Sequence, residues 1–374
     1  MNNKLGIMTF HAAYNYGANL QAYALLKTVN QFSDAQILNF RPESQFMRDK
    51  KFNIKQISKV YLARKLYYLC NSKSIRKRNE LFERFISEKL NAPLSDAVHE
   101  YELEEYSKNF DMILCGSDQI WGRSSKLYDR TMAYYINFPF HGKRASYAVS
   151  FGDNLDEVRN EEEELLPLLK KFDSISLREA DAQRYLNGKG IEAKVNVDPT
   201  MLISQEEWSE LAGSTPICDK PYVLYYTVNA REYSIKMANK TSEILNLPVI
   251  SLTIHPKIVG KGFINKIEAG PIEFLNYLKF ADFVVTNSFH GTIFSVIFEK
   301  PFVAVFDSKD GKLIREDRKA NILEMLGLDS HMVKKESDID IDFYKNYDFK
   351  YAKMKLETLK NDSINYLKSI NINE

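Results

Sequence analysis

The sequence predicts an α/β protein built from doubly wound parallel sheets. Short apolar runs rich in β-branched and aromatic residues alternate with longer helix-compatible stretches, the pattern of βαβ units. These runs fall into two series separated by a stretch broken by prolines and a glycine, and the 374-residue length suits two domains.

In the first series the expected strands are Lys4 to Thr9, Gln36 to Phe40, Asp111 to Cys115, Arg144 to Ser150, Asp173 to Leu177 and Ala193 to Val197. The second comprises Tyr222 to Thr227, Pro248 to Thr253, Asp282 to Thr286 and Phe302 to Phe306. Between them, Asp198 to Pro221 carries Pro199, Gly213, Pro216 and Pro221 around a short helix near Gln205 to Leu211, and marks the boundary. Tyr351, Met354, Leu356, Leu359, Ile364, Leu367 and Ile370 recur at roughly helical spacing and predict a terminal helix. The expected organisation is therefore a Rossmann-like domain over 1–200 with a basic helical insertion at 45–90. A second such domain follows over 201–345, and a helix within 346–374 packs back on the body.

The 51 Lys and Arg against 50 Asp and Glu give a formal charge of +1, so no global field favours nucleic acid. Three cysteines, Cys70, Cys115 and Cys218, are odd in number and widely spaced, which excludes a disulfide framework or a zinc knuckle and points to reduced thiols in a cytoplasmic protein. No signal-peptide pattern opens the chain and no run of 18 apolar residues occurs. One segment stands apart: Gln45 to Arg78 holds eleven Lys and Arg, among them Lys73, Arg76, Lys77 and Arg78, against the single acid Asp49. Interleaved with Phe52, Tyr61, Tyr67 and Tyr68, it reads either as a basic amphipathic element for an anionic membrane surface or as a solvated helix on its own domain.

Ligands in parallel α/β sheets bind beyond the carboxyl ends of strands, so the polar residues that follow each run are the candidates. After the first strand, His11 to Gln21 offers Asn15, Tyr16, Gly17, Asn19 and Gln21 at a helix start, suited to an anion or sugar hydroxyls, or simply a capped turn. After Met112 to Cys115 comes Gly116-Ser117-Asp118-Gln119-Ile120-Trp121; Asp118 can take a proton or a hydroxyl, and Trp121 can stack on a pyranose or fill the core. Alternation in Ser174-Ile175-Ser176-Leu177-Arg178-Glu179 carries Arg178 out at a strand end, to clamp a carboxylate or phosphate, or to form a salt bridge. Thr286-Asn287-Ser288-Phe289-His290-Gly291-Thr292 places an imidazole, hydroxyls and a helix N-terminus at one point, as acid–base chemistry beside a phosphate requires, or else holds a structural histidine.

Absent motifs remove other classes. The sequence has no G-x-x-x-x-G-K-[ST], no G-x-G-x-x-G after the first strand, no H-E-x-x-H and no G-x-S-x-G. Asp338-Ile339-Asp340 imitates a metal-binding D-x-D but lies among alternating acids and reads as solvated surface, so no metal and no cofactor is expected.

Taken together, N-Y-G-A-N-L-Q at Asn15 to Gln21, G-S-D-Q-I-W at Gly116 to Trp121, Y-A-V-S-F-G at Tyr147 to Gly152, S-I-S-L-R-E at Ser174 to Glu179, D-P-T at Asp198 to Thr200 and T-N-S-F-H-G-T at Thr286 to Thr292 resemble the polysaccharide pyruvyl transferase family, in order, over roughly residues 5 to 330. The resemblance implies a GT-B-like fold, two Rossmann-like domains facing across a cleft, with the acceptor on the N-terminal side. Phosphoenolpyruvate would be the donor on the C-terminal side, and the product a pyruvate ketal on a cell-surface polysaccharide such as a capsule or exopolysaccharide, or on its lipid-linked precursor. Arg178 and His290 map onto family positions expected to contact phosphoenolpyruvate, together with Ser288, Gly291 and Thr292. Better-studied members carry R-L-H-G where Ser288 and Phe289 stand here, so Lys312, Arg315 and Arg318 are the candidates to supply the missing cation. His290 is expected to be the acid or to stabilise the departing phosphate, Asp118 or His11 is the expected acceptor base, and Asn15, Tyr16, Gly17, Asn19, Gln21, Ser117, Asp118 and Trp121 are the expected acceptor contacts. A lipid-linked acceptor would sit at the inner face of the membrane, where Gln45 to Arg78 would make peripheral contact. The rival readings are a GT-B nucleotide-sugar glycosyltransferase and a non-catalytic glycan-binding relative.

Overall fold

The computed structural model describes residues 4–43, 67–122, 131–152, 155–228, 231–306, 308–309, 312–313 and 317–370. These fall into two compact units: 4–43, Glu83–Ile203 and 357–370 form the first, and 67–82 with Ser204–Leu356 the second.

In the first unit β1 (Lys4–Met8), β2 (Asp34–Ile37), β3 (Met112–Cys115) and β4 (Lys143–Ser146) form a parallel sheet in the order β2-β1-β3-β4. The short strands β5 (Ser176–Leu177) and β6 (Lys194–Val195) pair in parallel and extend it, because Asp173 N–H donates to the Arg144 carbonyl and Val149 N–H to that of Ser176. The Met-Ile-Leu-Cys run of β3 is buried throughout, as a central parallel strand covered on both faces must be, whereas edge strand β2 alternates exposed and buried. The order 2-1-3-4-5-6 places the topological switch point between β1 and β3.

The second unit has β7 (Val223–Tyr226), β8 (Val249–Ser251), β9 (Ile264–Asn265), β10 (Phe283–Thr286) and β11 (Phe302–Val305). A two-stranded hairpin of β12 (Ser308–Lys309) and β13 (Lys312–Leu313) follows, then β14 (Met332–Val333). The main sheet runs β14-β11-β10-β7-β8-β9, all parallel. Relative to β7 this is the 3-2-1-4-5-6 order of dinucleotide-binding folds, with its switch point between β7 and β10. Val-Leu-Tyr-Tyr, Phe-Val-Val-Thr and Phe-Val-Ala-Val of β7, β10 and β11 are wholly buried.

The strands expected from apolar runs are present but shorter, while β9, β14 and the hairpin have no comparable apolar run. Two features concern the organisation. Of the described part of the basic insertion, 67–90, residues 67–82 belong to the second unit and 83–90 to the first. Arg78 there is buried, stacks its guanidinium 4.6 Å over Phe82 and donates to the Ala269 carbonyl at 2.9 Å. The terminal helix Lys350–Ser369 is divided between the units: Lys353 pairs with Glu299 at 2.7 Å, while Ser363 accepts from Val197 N–H at 3.1 Å and Tyr366 donates to the Ser146 carbonyl at 2.9 Å.

Candidate functional site

The loops at the first switch point are built mainly from motif residues, and they are tied to one another. Gln21, in the helix Tyr16–Val29, donates to the Thr9 hydroxyl at 2.8 Å and accepts from Ser117 N–H at 3.1 Å; Thr9 in turn donates to the Ser117 carbonyl. Asn19 donates to the His11 carbonyl, Ser117 Oγ to that of Ala148, and Asn15 caps the helix by accepting from Ala18 N–H. Gly116 is required: its φ is +128° and a Cβ would stand 2.1 Å from the Tyr147 carbonyl oxygen. Tyr16, Gly17, Asn19, Gln21 and Ser117 are buried, so the expected acceptor contacts correct to a polar lock that joins the ends of β1 and β3.

Two further expectations in this unit are overturned. Trp121 is fully buried, donates through Nε1 to the Tyr134 carbonyl at 2.9 Å and stacks on Tyr135; it is core, not a sugar platform. His11 is also fully buried, with Nδ1 3.1 Å from the Thr9 carbonyl and Nε2 2.9 Å from Asn39 Oδ1. Burial above all, opposed by the Asn39 contact, lowers its pKa to about 4, so it is a neutral interior group and not an acceptor base.

Arg178 emerges at the end of β5 as expected, but its guanidinium meets carboxylates. Asp198 lies 2.7 Å away, Glu179 3.5 Å and Asp118 3.6 Å, and the Arg178 side chain is 4% exposed. Burial opposes its charge, yet the three carboxylates hold its pKa above the ordinary value. The expected donor clamp thus corrects to the salt-bridge reading. Asp118 itself sits at φ +69°, in the left-handed region that non-glycine residues seldom adopt, and accepts from Gln119 N–H at 2.9 Å. Asp198 also accepts from the Thr200 N–H and hydroxyl, which accounts for the D-P-T motif.

The switch point of the second unit carries the T-N-S-F-H-G-T motif. β10 ends at Thr286, Ser288 caps the helix Phe289–Ile297 by accepting from Gly291 N–H at 3.3 Å, and His290 lies in its first turn. Thr227, just after β7, donates to Asn287 Oδ1 at 2.5 Å, and Thr286 Oγ1 donates to the Tyr226 carbonyl at 2.7 Å, joining the ends of β7 and β10. A Cβ on Gly291 would meet Thr286 Oγ1 at 2.3 Å and the Tyr226 ring at 2.9 Å, so glycine lets the helix start close against the sheet. Thr292 is buried and donates to the Ser288 carbonyl, which makes it a helix residue rather than a ligand contact. First-turn N–H groups point out of a helix and favour an anion.

Of the expected replacement cations, Arg315 lies outside the described residues, as does the side chain of Lys312. Arg318 is half-buried in the helix Asp317–Met325. Its neighbour Lys319, which the motifs did not single out, is 1% exposed and donates to the carbonyls of Asn287 at 3.2 Å and Val305 at 2.7 Å. No motif marks it; only a lysine placed one position after an arginine at a helix start hints at an inward-facing cation. Most of Gln45 to Arg78 also lies outside the described residues; Lys73, Arg76 and Lys77 are exposed, while Arg78 is held by Ala269 and does not join a solvated basic face. Asp338 and Asp340 each cap a short helix. No helix among the described residues is long and apolar enough to cross a membrane.

Two doubly wound Rossmann-like units define the GT-B class, and solved structures of that class match nearly the whole chain. An MnaA–UDP complex from S. aureus matches with a TM-score of 0.51 at 12% identity, over 98% of this chain and 96% of that one. A putative UDP-N-acetylglucosamine 2-epimerase from Listeria monocytogenes gives 0.50 at 13%, over 99% and 98%. The UDP-GlcNAc 2-epimerase of Methanocaldococcus jannaschii with UDP-GlcNAc and UDP gives 0.50 at 13%, over 96% and 100%. At such identity the likeness concerns the fold. Within that class the chain belongs to the polysaccharide pyruvyl transferase family, whose model matches residues 15–309. No curated protein matches the sequence.

Proposed function

We propose that this protein transfers the pyruvyl group of phosphoenolpyruvate to two hydroxyls of a polysaccharide sugar or its lipid-linked precursor. The observation that carries the reading is His290 in the first turn of a helix at the β7/β10 switch point, in a chain whose family model spans both units. Phosphoenolpyruvate is a compact polyanion, and the start of the helix Phe289–Ile297 supplies positive potential for it. His290 protonates the methylene carbon, which becomes the methyl group, and C2 accepts the first sugar hydroxyl. The C2–O bond to phosphate then breaks, phosphate leaves with the bridging oxygen, and the second hydroxyl closes the ketal as its proton passes to solvent. Asp118, the carboxylate beside Arg178 in the first unit, remains the candidate to take the acceptor proton.

Calorimetry and thermal shift with phosphoenolpyruvate, UDP-sugars and GDP-sugars, on wild type and His290→Ala, test the donor. Selective stabilisation by phosphoenolpyruvate that disappears in His290→Ala is the expected outcome. Stabilisation by a nucleotide-sugar alone replaces this reading with a glycosyltransferase, and glycan binding without turnover of any donor replaces it with a binding protein. Peripheral contact of this cytoplasmic enzyme with anionic membrane now rests on the exposed Lys73, Arg76 and Lys77. Equal flotation of wild type with neutral and anionic vesicles removes that part.

A further inference from the structure

The peptide joining Asn287 to Ser288 is gripped at both ends. Its carbonyl oxygen accepts from Lys319 Nζ at 3.2 Å, and its N–H donates to Thr286 Oγ1 at 3.0 Å. Carbonyl and N–H of a trans peptide point in opposite directions, so these two bonds fix the rotation of the peptide plane about the chain. That plane sets ψ of Asn287 and φ of Ser288, here −86°, one of the two angles that with ψ 137° give Ser288 the extended geometry of a helix N-cap from which the His290 helix leaves the sheet.

Lys319 is an unusual residue for this task, since a buried ammonium is costly unless its donors are used. It uses them on main-chain carbonyls at the carboxyl ends of β10 and β11, Asn287 and Val305, with Nζ 4.1 Å over the Phe306 ring. It therefore ties together the two strand ends that flank the start of the helix and brings its amine to the carbonyl one residue before the Ser288 cap.

We propose that Lys319 is the positioning residue of the anion site at the β10 end, holding the Asn287–Ser288 peptide so that His290 and the helix N-terminus face the phosphate of the donor. This rests on the reading of that site as a phosphoenolpyruvate site. It also assigns the charge that Ser288 does not carry to an element reached only through the fold.

The test compares wild type, Lys319→Met and Lys319→Arg by calorimetry with phosphoenolpyruvate and with inorganic phosphate, alongside melting temperature. For Lys319→Met the expected result is at least about ten-fold weaker binding of both anions by the folded protein, with Lys319→Arg recovering most of it. A merely structural lysine lowers the melting temperature and leaves both dissociation constants unchanged; that result overturns the proposal. Should Lys319→Met not fold, Thr286→Ala loosens the same peptide from its N–H side with the charge intact. Undiminished binding there overturns the positioning argument equally. A wild type that binds neither anion is a different failure, that of the phosphoenolpyruvate reading itself.

Discussion

The Arg178 guanidinium lies 2.7 Å from the Asp198 carboxylate, both side chains almost wholly withdrawn from water. The strand-end arginine of the S-I-S-L-R-E motif is thereby bound to the aspartate of the D-P-T motif, within one unit. The two motifs are a single feature of the fold.

Removing the cation leaves buried carboxylates uncompensated, so Arg178→Met should destabilise the protein by about 3–5 kcal/mol, whereas Asp198→Ala, which leaves Glu179 and Asp118 beside the guanidinium, should cost less. Urea denaturation at pH 7 measures it. Phosphoenolpyruvate stabilisation should survive in whatever fraction of Arg178→Met folds; its selective loss in a stable variant would return Arg178 to the donor site.

Trp121 fills the core between Tyr135, Phe151 and Phe172, with ring centroids at 5.3, 5.6 and 5.3 Å. Trp121→Ala should cost about 3–5 kcal/mol through the cavity it leaves. Trp121→Phe should cost less and leave glycan binding unchanged, which a glycan-binding assay on the folded variant checks.

Gly291→Ala forces a methyl group against Thr286 Oγ1 and the Tyr226 ring. Overpacking of this kind costs about 1–3 kcal/mol. Because the strain is relieved by lifting the helix that carries His290, anion binding should fall more than stability does, and the pair of measurements distinguishes this from a general loss of packing.

His11 and His331 are buried, and burial above all lowers each pKa from 6.5 to about 4. His331 is enclosed by aromatic rings, with Phe302 at 4.4 Å and Tyr347 at 4.5 Å. In the unfolded chain both imidazoles bind protons below pH 6.5, while in the folded protein they stay neutral to about pH 4. Their contribution is thus fully present above pH 6.5 and is lost progressively as pH falls towards 4. His331→Leu should be less acid-sensitive than wild type across that window in denaturation at pH 7, 5.5 and 4.5; parallel pH profiles would falsify the assignment.

Much of the architecture could be read along the chain because parallel strands buried on both faces leave continuous apolar runs. Met112 to Cys115 and Phe302 to Val305 are of that kind. β9 and β14, two residues each at or near sheet edges, have no such run, since an edge strand is only half covered. The T-N-S-F-H-G-T segment was legible as a strand end running into a helix start because strand, cap, histidine and glycine are adjacent in sequence. The roles of the other motifs were not, because polar residues after a strand serve a ligand and a hydrogen-bonded lock equally well, and Gln21, Asn19 and Ser117 serve the lock.

The sequence by itself determined the α/β class, the alternation of elements, the family and the position of His290 at a helix start, since each depends on neighbours a few residues apart. Only the tertiary structure decided which cations are available and which are engaged. Arg178 finds its carboxylate twenty residues downstream and Arg78 its carbonyl at Ala269, while Lys319 reaches Asn287 across two strand ends. A charge's role is set by what surrounds it in space, and that environment exists only once distant segments have packed together.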